Sequence, residues 1–261
     1  MRTFGAVHQA LREHAGISRE EYADLVRFSK HTVASVELGR RMPDQAFVER
    51  AEQLLGNTGA LRKALPTLAR QPGLAAWFRR WARLEQVAIS LYTYECRMIP
   101  GLLQTEAYGR ALFDGQLPPL DDAQIEERWS ARAERQRLLR ERPNTAFSFI
   151  LEEHLFLRCT GGTDVTRELI DHVLEIGELR NVEIQIMPLA HWTHAGLAGP
   201  MQLLETPENR WFAYNEGQRG GLFISDPKEI SVLHRRYARM RSQALTLEDS
   251  VSLLERMRGD L

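Results

Sequence analysis

The first residues of this chain whose types and spacing could do chemistry lie around position 30. Ser29 is a good helix N-cap, and in the KHTVASVE stretch behind it Val33 and Val36 fall at i, i+3 and turn inward, which leaves Lys30, His31, Thr32 and Ser35 outward on a short helix. Side chains of these types at the end of a helix narrow enough for a major groove can hydrogen-bond the edges of base pairs. Hydroxyls and guanidiniums suited to phosphate oxygens flank them: Ser18, Arg19, Ser29, Arg40 and Arg41.

Three other constellations invite a chemical reading. His191 and His194 flank Trp192, and a His-x-x-His pair seeds a metal site only with a third ligand. No nearby Cys, Asp or Glu has matching spacing, so no metal is expected. Glu152, Glu153 and His154 end a strand-like run; a carboxylate pair can act as acid and base, but neighbours on one strand point apart, and helix capping is the expected role. The glycine-rich stretches GLAGPM (196–201) and RGGL (219–222) accompany Trp192, His194, Trp211, Tyr214 and Glu216, which read either as a pocket for a small ligand or partner peptide or as a turn over an aromatic core. The chain lacks a Gly-x-Ser-x-Gly elbow, a P-loop and a dinucleotide fingerprint. A non-enzyme without cofactors is therefore expected, its rival being a DNA-targeted enzyme built on Glu152, His191, His194 and Glu216.

The elements that must hold the first group are helical. Residues 3–15 read as a helix with Phe4, Val7, Leu11 and Ala15 along one side, stopped by Gly16. Ser18 with Glu21 reads as a capping box, and Tyr22, Ala23, Leu25 and Val26 as the inward face of a second helix. Asp44 caps a fourth with Phe47, Ala51, Leu54 and Leu55 inward; residues 57–72 read as a joint containing one short helix. Two short helices joined by a tight turn at 18–43 make a helix-turn-helix.

The segments LREHAGISREEYA, SKHTVASVELGRRMP and AFVERAEQLLG resemble the lambda-repressor-like (XRE) helix-turn-helix domain over residues 4–56. That resemblance implies binding to double-stranded DNA and an ion pair between an Arg of the first helix and a Glu closing the recognition helix, which here are Arg12 and Glu37. One position departs from the pattern. The turn residue, usually Gly in a left-handed conformation, is Arg27, at a cost of about 1–2 kcal/mol.

From Gly73 the spacing of Trp77, Phe78, Trp81, Leu84, Ala88 and Leu91 predicts a long helix. Thr105 caps a helix through Phe113, Asp121 with Gln124 opens another toward Pro143, and the arginines of that helix, interspersed with glutamates, read as a solvated, ion-paired surface. Short runs at 146–151, 182–187, 201–205, 210–216 and 221–225 read as strands, with helices at 164–180, from Asp226-Pro227, and from Thr246 through Met257. The predicted fold is an N-terminal all-α helix-turn-helix domain (1–70) followed by a mixed α+β domain with a small sheet (73–261). WFRRWARLEQVAISLYTYECRMIPGLLQTEAYGRAL, HAGLAGPMQLLE, YNEG and ALTLEDSVSLLERM are similar to the C-terminal domain of actinobacterial XRE-family regulators of the WhiJ-like type. The resemblance implies a nearby-encoded small partner protein and an antitoxin-like relationship for some members, and gives the domain no biochemistry.

Composition fits this reading. With 43% hydrophobic and 26% charged residues, no apolar run long enough to span a bilayer and two well-separated cysteines, Cys96 and Cys159, a cytoplasmic protein with no membrane partner is expected. Residues 1–70 hold 11 Lys and Arg against 8 Asp and Glu, whereas residues 143–261 hold 12 against 17, so the positive charge sits with the helix-turn-helix. The expectation is a sequence-specific DNA-binding transcriptional regulator, a homodimer because one recognition helix reads too few base pairs, with a C-terminal domain responding to a partner protein or a small-molecule ligand. An antitoxin that sequesters a small partner and represses its own gene is the alternative.

Overall fold

The computed structural model describes the chain except Met1, residues 69–73, Ala76, Trp77, Trp192, Gln218 and Arg219; for residues 2 and 66–68 it describes the backbone alone. The chain divides into two compact units, Met1–Arg70 and Gln71–Leu261.

The first unit consists of α1 (Arg2–His14), α2 (Arg19–Val26), α3 (Lys30–Glu37), α4 (Gln45–Leu54) and α5 (Ala60–Leu68). Local capping sets where they begin. Ser18 accepts from the Glu21 N–H at 3.2 Å, Ser29 from the Thr32 N–H at 3.1 Å and Asp44 from the Phe47 N–H at 2.7 Å. Only the serine half of the Ser18–Glu21 capping box forms. Arg27 adopts the left-handed conformation (φ 56°, ψ 44°) that ends α2, and the Phe28 N–H returns to the Ala23 carbonyl at 3.0 Å.

Phe4, Tyr22, Ala23, Val26, Val33, Val36, Phe47, Val48, Ala51, Leu55 and Leu61 form the core of this unit. Three residues expected in it stay out: Val7 is 44% and Leu25 48% exposed, and Ala15 is exposed. The reason lies in α1, whose buried line runs Phe4, Gly5, His8 and Arg12, a face rotated away from the apolar pattern by two polar residues that find partners inside. Gly5 allows this rotation, since a Cβ there would sit 2.2 Å from the Glu37 carbonyl oxygen at the end of α3. The expected joint after residue 57 also differs. α5 is part of the first unit, with Leu61 1% exposed in its core and the buried Glu52 carboxylate accepting the Gly59, Leu61 and Arg62 N–H groups at its start.

The second unit is built on a six-stranded mixed sheet in the order β3-β2-β1-β4-β5-β6. Its strands are β1 (Ser90–Glu95), β2 (Ala146–Glu152), β3 (Val182–Met187), β4 (Met201–Glu205), β5 (Trp211–Gly217) and β6 (Gly220–Ile224). β1, β2 and β3 run parallel, and β4 to β6 add to β1 antiparallel. The helices are α6 (Arg79–Glu85), α7 (Glu106–Asp114), α8 (Asp122–Gln136), α9 (Leu138–Glu141), α10 (His154–Leu157), α11 (Thr163–Gly177), α12 (Pro227–Gln243) and α13 (Leu247–Asp260).

Alternation along the strands sends side chains into two cores. Phe147, Phe149, Leu151, Phe212 and Tyr214 join Trp81, Leu103 and Leu169 on one face; Tyr94, Ile150, Leu203 and Ala213 join Ile230, Leu233, Tyr237 and Met240 of α12 on the other. Here a predicted helix is overturned: the run from Gly73 is helical only over Arg79–Glu85 among the described residues, and SLYTYE is the strand β1 near the centre of the sheet. Leu91 faces inward under either period, so helical spacing and strand alternation coincide there, and only the pairing of β1 with both β2 and β4 decides. Trp77 lies outside the described residues.

The arginine-rich helix is less solvated than its sequence predicts. Arg137 pairs with Glu134 and Arg140 with Glu175 at the surface, but Arg135 is largely buried and holds Glu85 through two bonds of 2.7 and 2.9 Å. Arg132 reaches Gln104 and lies over the Phe113 ring. Among the described residues no helix is long and apolar enough to cross a membrane.

Candidate functional site

α3 presents a continuous outward face. His31 and Leu38 are exposed and Ala34 and Ser35 half-buried, at the 3–4 spacing of one helical side, with Lys30 exposed at its N-terminal end. Lys30 is ion-paired to Glu20 across the motif, at the surface of the unit. Thr32 does not belong to this face. It is 9% exposed, and its hydroxyl bonds Ser29 Oγ at 2.9 Å and accepts from Arg41 Nη1 at 3.2 Å, so capping the helix start takes it out of base readout. Sequence reasoning passed over Ala34 and Leu38 because apolar side chains at outward positions carry no donor or acceptor, yet the same 3–4 spacing that selected Ser35 includes them.

The flanking groups divide. Arg40 is exposed, and Arg41 is exposed while bracing Thr32. Ser18 and Ser29 both accept cap bonds, which leaves the Ser18 hydroxyl proton for another partner, while Ser29 Oγ is also hydrogen-bonded to the Thr32 hydroxyl. Arg19 is drawn inward instead of standing free for phosphate: its Nε donates to Glu37 Oε2 at 2.8 Å, and its side chain is 36% exposed.

Glu37, at the end of α3, is the anchor of the motif. It is 4% exposed; Arg12 Nε donates to its Oε1 at 2.6 Å, and Arg12 Nη1 also bonds the Ile17 carbonyl at 2.7 Å. Burial alone would push the Glu37 carboxyl up, but hydrogen bonds from Arg12 and then Arg19 outweigh it and hold the group below the usual carboxylate range. The bond to Glu37 raises Arg12 in turn. The end of the recognition helix is thereby fixed to α1 and to the start of α2.

His8 completes this interior. It is fully buried, 2.8 Å from the Tyr22 hydroxyl through Nε2, with Nδ1 3.8 Å from Glu37 Oε1 and without a hydrogen bond. Burial lowers its pKa to about 4 from the ordinary 6.5, with Glu37 opposing and Arg12 reinforcing the shift. The unfolded chain therefore takes up this proton first as pH falls. Stability present above pH 6.5 is lost down to about pH 4, by up to about 3 kcal/mol. The depressed carboxyls Glu37 and Glu52 add their loss only in the more acidic range, so the window between pH 6.5 and 5 belongs to His8. Denaturation midpoints of fragment 1–70 across this window should fall for the parent and stay flat for His8→Phe; parallel curves would remove His8 as the source.

In the second unit the residues read as one pocket separate. Trp211 packs under α12 against His234, ring centroids 4.2 Å apart, whereas Tyr214 stacks on Trp81 at 5.5 Å on the other face of the sheet. Their odd spacing on β5 requires this. Glu216 follows Tyr214 two residues on, and its carbonyl accepts from Arg97 Nη1 at 2.6 Å. His194 lies with neither, and Trp192 is outside the described residues.

What the fold does bring together is a polar cluster at the carboxyl ends of β1 and β2. Glu152 is not a helix cap: it is buried, and Tyr94 Oη donates to its Oε1 at 2.6 Å across 58 residues of chain. Burial foremost, and this bond, push the Tyr94 hydroxyl far above its ordinary range, so it remains a donor. His194 Nε2 stands 3.3 Å from the same oxygen, and the His191 ring centroid is 6.3 Å from that of His194. Glu153 turns away to accept the Leu189 N–H at 2.8 Å. Three of the four residues of the enzymatic alternative are thus neighbours, without Glu216. Among the described residues no three His, Cys, Asp or Glu side chains are placed to share a metal ion.

Comparison with known proteins follows the two units. Residues 3–65 match the family model described as a helix-turn-helix domain, and residues 78–256 match the model described as a domain of unknown function, DUF5753. No curated protein and no solved structure matches the chain.

Proposed function

The chain belongs to the DUF5753 family, with a helix-turn-helix domain ahead of the family's domain, and from that premise we propose that it is a sequence-specific DNA-binding transcriptional regulator that acts as a homodimer. The finer placement among lambda-repressor-like, actinobacterial regulators of the WhiJ-like type is part of this proposal, as is a cytoplasmic location. One observation carries it. The outward face of α3 is left uncovered by its own unit, while the end of that helix is locked by a buried ion pair, the arrangement a reading head requires.

Lys30 and His31 then contact base edges, Ser35 adds a hydrogen bond, and Ala34 and Leu38 offer apolar surface to thymine methyl groups. Arg40 and Arg41 take phosphates, with Ser18 and Ser29 beside them. The surface ion pair of Lys30 with Glu20 is no obstacle, since both side chains are exposed and a solvent-screened pair yields to a stronger partner. Lys30→Ala and His31→Ala should each reduce discrimination between operator and random DNA by about 1–3 kcal/mol, read from titrations of both duplexes at one salt concentration. Equal weakening on both would reassign the residues to the backbone.

The C-terminal domain is read as the responding part and as non-catalytic. The tautomer of His194 supports this: its Nδ1 accepts from the Gly196 N–H at 3.2 Å, so its proton is on Nε2 facing Glu152, and no lone pair is left to act as a base.

A further inference from the structure

The two edges of the sheet are finished differently. At β3 the chain closes its own outer edge: the Leu245 N–H donates to the Ile186 carbonyl at 2.9 Å, the Ile186 N–H donates to Ser250 Oγ at 2.9 Å, and Gln185 Nε2 holds the Leu245 carbonyl at 2.8 Å. At β6 nothing comparable is present among the described residues. That strand pairs with β5 alone, from Gly217↔Gly220 to Ala213↔Ile224, and a Cβ at Gly220 would meet no atom within 4 Å. In an antiparallel pair every second residue turns its N–H and C=O away from the neighbouring strand, so half of the backbone groups of β6 stand on an open edge.

Open edges are ordinarily blunted by a charge, a proline or a bulge, because they template pairing with another chain. Residues 220–225, GGLFIS, carry no charge and no proline, and Leu222 among them is 61% exposed. The residues after it are held by their own unit: Phe223 packs on Phe212 and under the Arg80 guanidinium, and Ile224 packs against the core beneath α12. The strand is thus fixed in place with one edge and one apolar side chain outward.

Its sequence also selects the partner and the direction. When two copies pair antiparallel about Leu222, that residue meets itself, and Gly220 and Gly221 of one copy meet the larger Ile224 and Phe223 of the other. An in-register parallel pair would set large against large and glycine against glycine. Since the strand is uncharged, it meets no like charge when it meets itself. A two-fold axis through Leu222 is the isologous arrangement of a closed dimer.

We infer that β6 is the contact between the two protomers: it pairs antiparallel with β6 of a second copy, centred on Leu222, and one sheet runs through both. The inference rests on the homodimer reading and gives that dimer its surface. A contact built on one strand pair is at the small end of protein interfaces, so the dimer exchanges with monomer on dilution.

The test is sedimentation velocity of the full-length protein, without DNA, over a dilution series, for the parent and for Leu222→Lys. The substitution is on an exposed side chain and sets two like charges against each other at the axis. The dimer dissociation constant should rise at least tenfold while the melting temperature is kept. In a background of Cys96→Ser and Cys159→Ser, Leu222→Cys should form an intermolecular disulfide on mild oxidation, read on a non-reducing gel, and Val251→Cys, equally exposed on α13, should not; this pair serves if the lysine variant does not fold. A parent dimer that persists unchanged in Leu222→Lys, or crosslinking no better at 222 than at 251, would overturn the inference and leave the homodimer reading standing on another surface. A parent that is monomeric at every concentration would overturn both.

Discussion

Glu37→Ala is expected to destabilise the N-terminal unit by about 3–5 kcal/mol, because it strands a buried guanidinium. A unit of this size is stable by only about 4–10 kcal/mol, so the loss leaves much of it unfolded near physiological temperature. The two single variants should not be equal. Removing Glu37 abandons both Arg12, 5% exposed, and Arg19, whereas Arg12→Ala leaves Glu37 with Arg19 at 2.8 Å and should cost less. The double variant should cost less than the sum of the singles, since no buried charge then faces an empty site. Urea denaturation of the parent, both singles and the double gives the cycle directly. Simple additivity would mean that the bond at 2.6 Å carries no coupling and that α3 is held by its apolar contacts alone.

The second large effect concerns assembly. Fragment 1–70 should fold by itself, since its five helices enclose their own core and Glu52 caps α5 from within the unit. It should nevertheless bind an operator about a hundredfold more weakly than the full-length protein, or worse. A monomer loses the linkage that makes the second half-site contact effectively intramolecular. Fusion of 1–70 to an unrelated dimer that spans half-sites about 34–36 Å apart should restore affinity and not a response to a partner protein or small ligand. Titrations of fragment, fusion and full-length protein on one operator at one ionic strength decide it. A bare fragment as tight as the whole would make residues beyond 70 an independent module with no part in dimerisation.

The features that the amino-acid sequence determined alone are those set within four residues of chain. Ser29 and Asp44 cap the helices expected of them, Asp121 and Gln124 close a complete capping box, and Asp226 before Pro227 receives the Lys228 and Glu229 N–H groups, because each bond joins neighbours whatever the rest of the protein does. The strands at 182–187 and 201–205 were legible for the same reason: alternation is local, and Gly, Pro and Asn bound them. The helix-turn-helix itself is a string of such local signals, and even Arg27 reaches the left-handed turn the motif needs.

Only the tertiary structure decided which polar groups go inside and which residues meet. His8 looks like a surface residue until Tyr22, at fourteen positions' separation, supplies its partner, whereas the pairing of Arg12 with Glu37, at twenty-five, was legible only through the family resemblance. β1 reads as helix until β2 and β4 pair with it. Trp211 and Tyr214, close in sequence, are parted by a sheet, while Tyr94, Glu152 and His194, far apart in sequence, converge at one edge of it. The physical reason is the same in each case. Burial of a polar side chain is favourable only when a partner satisfies it, and the identity of that partner is fixed by strand order and helix approach, which no local period encodes.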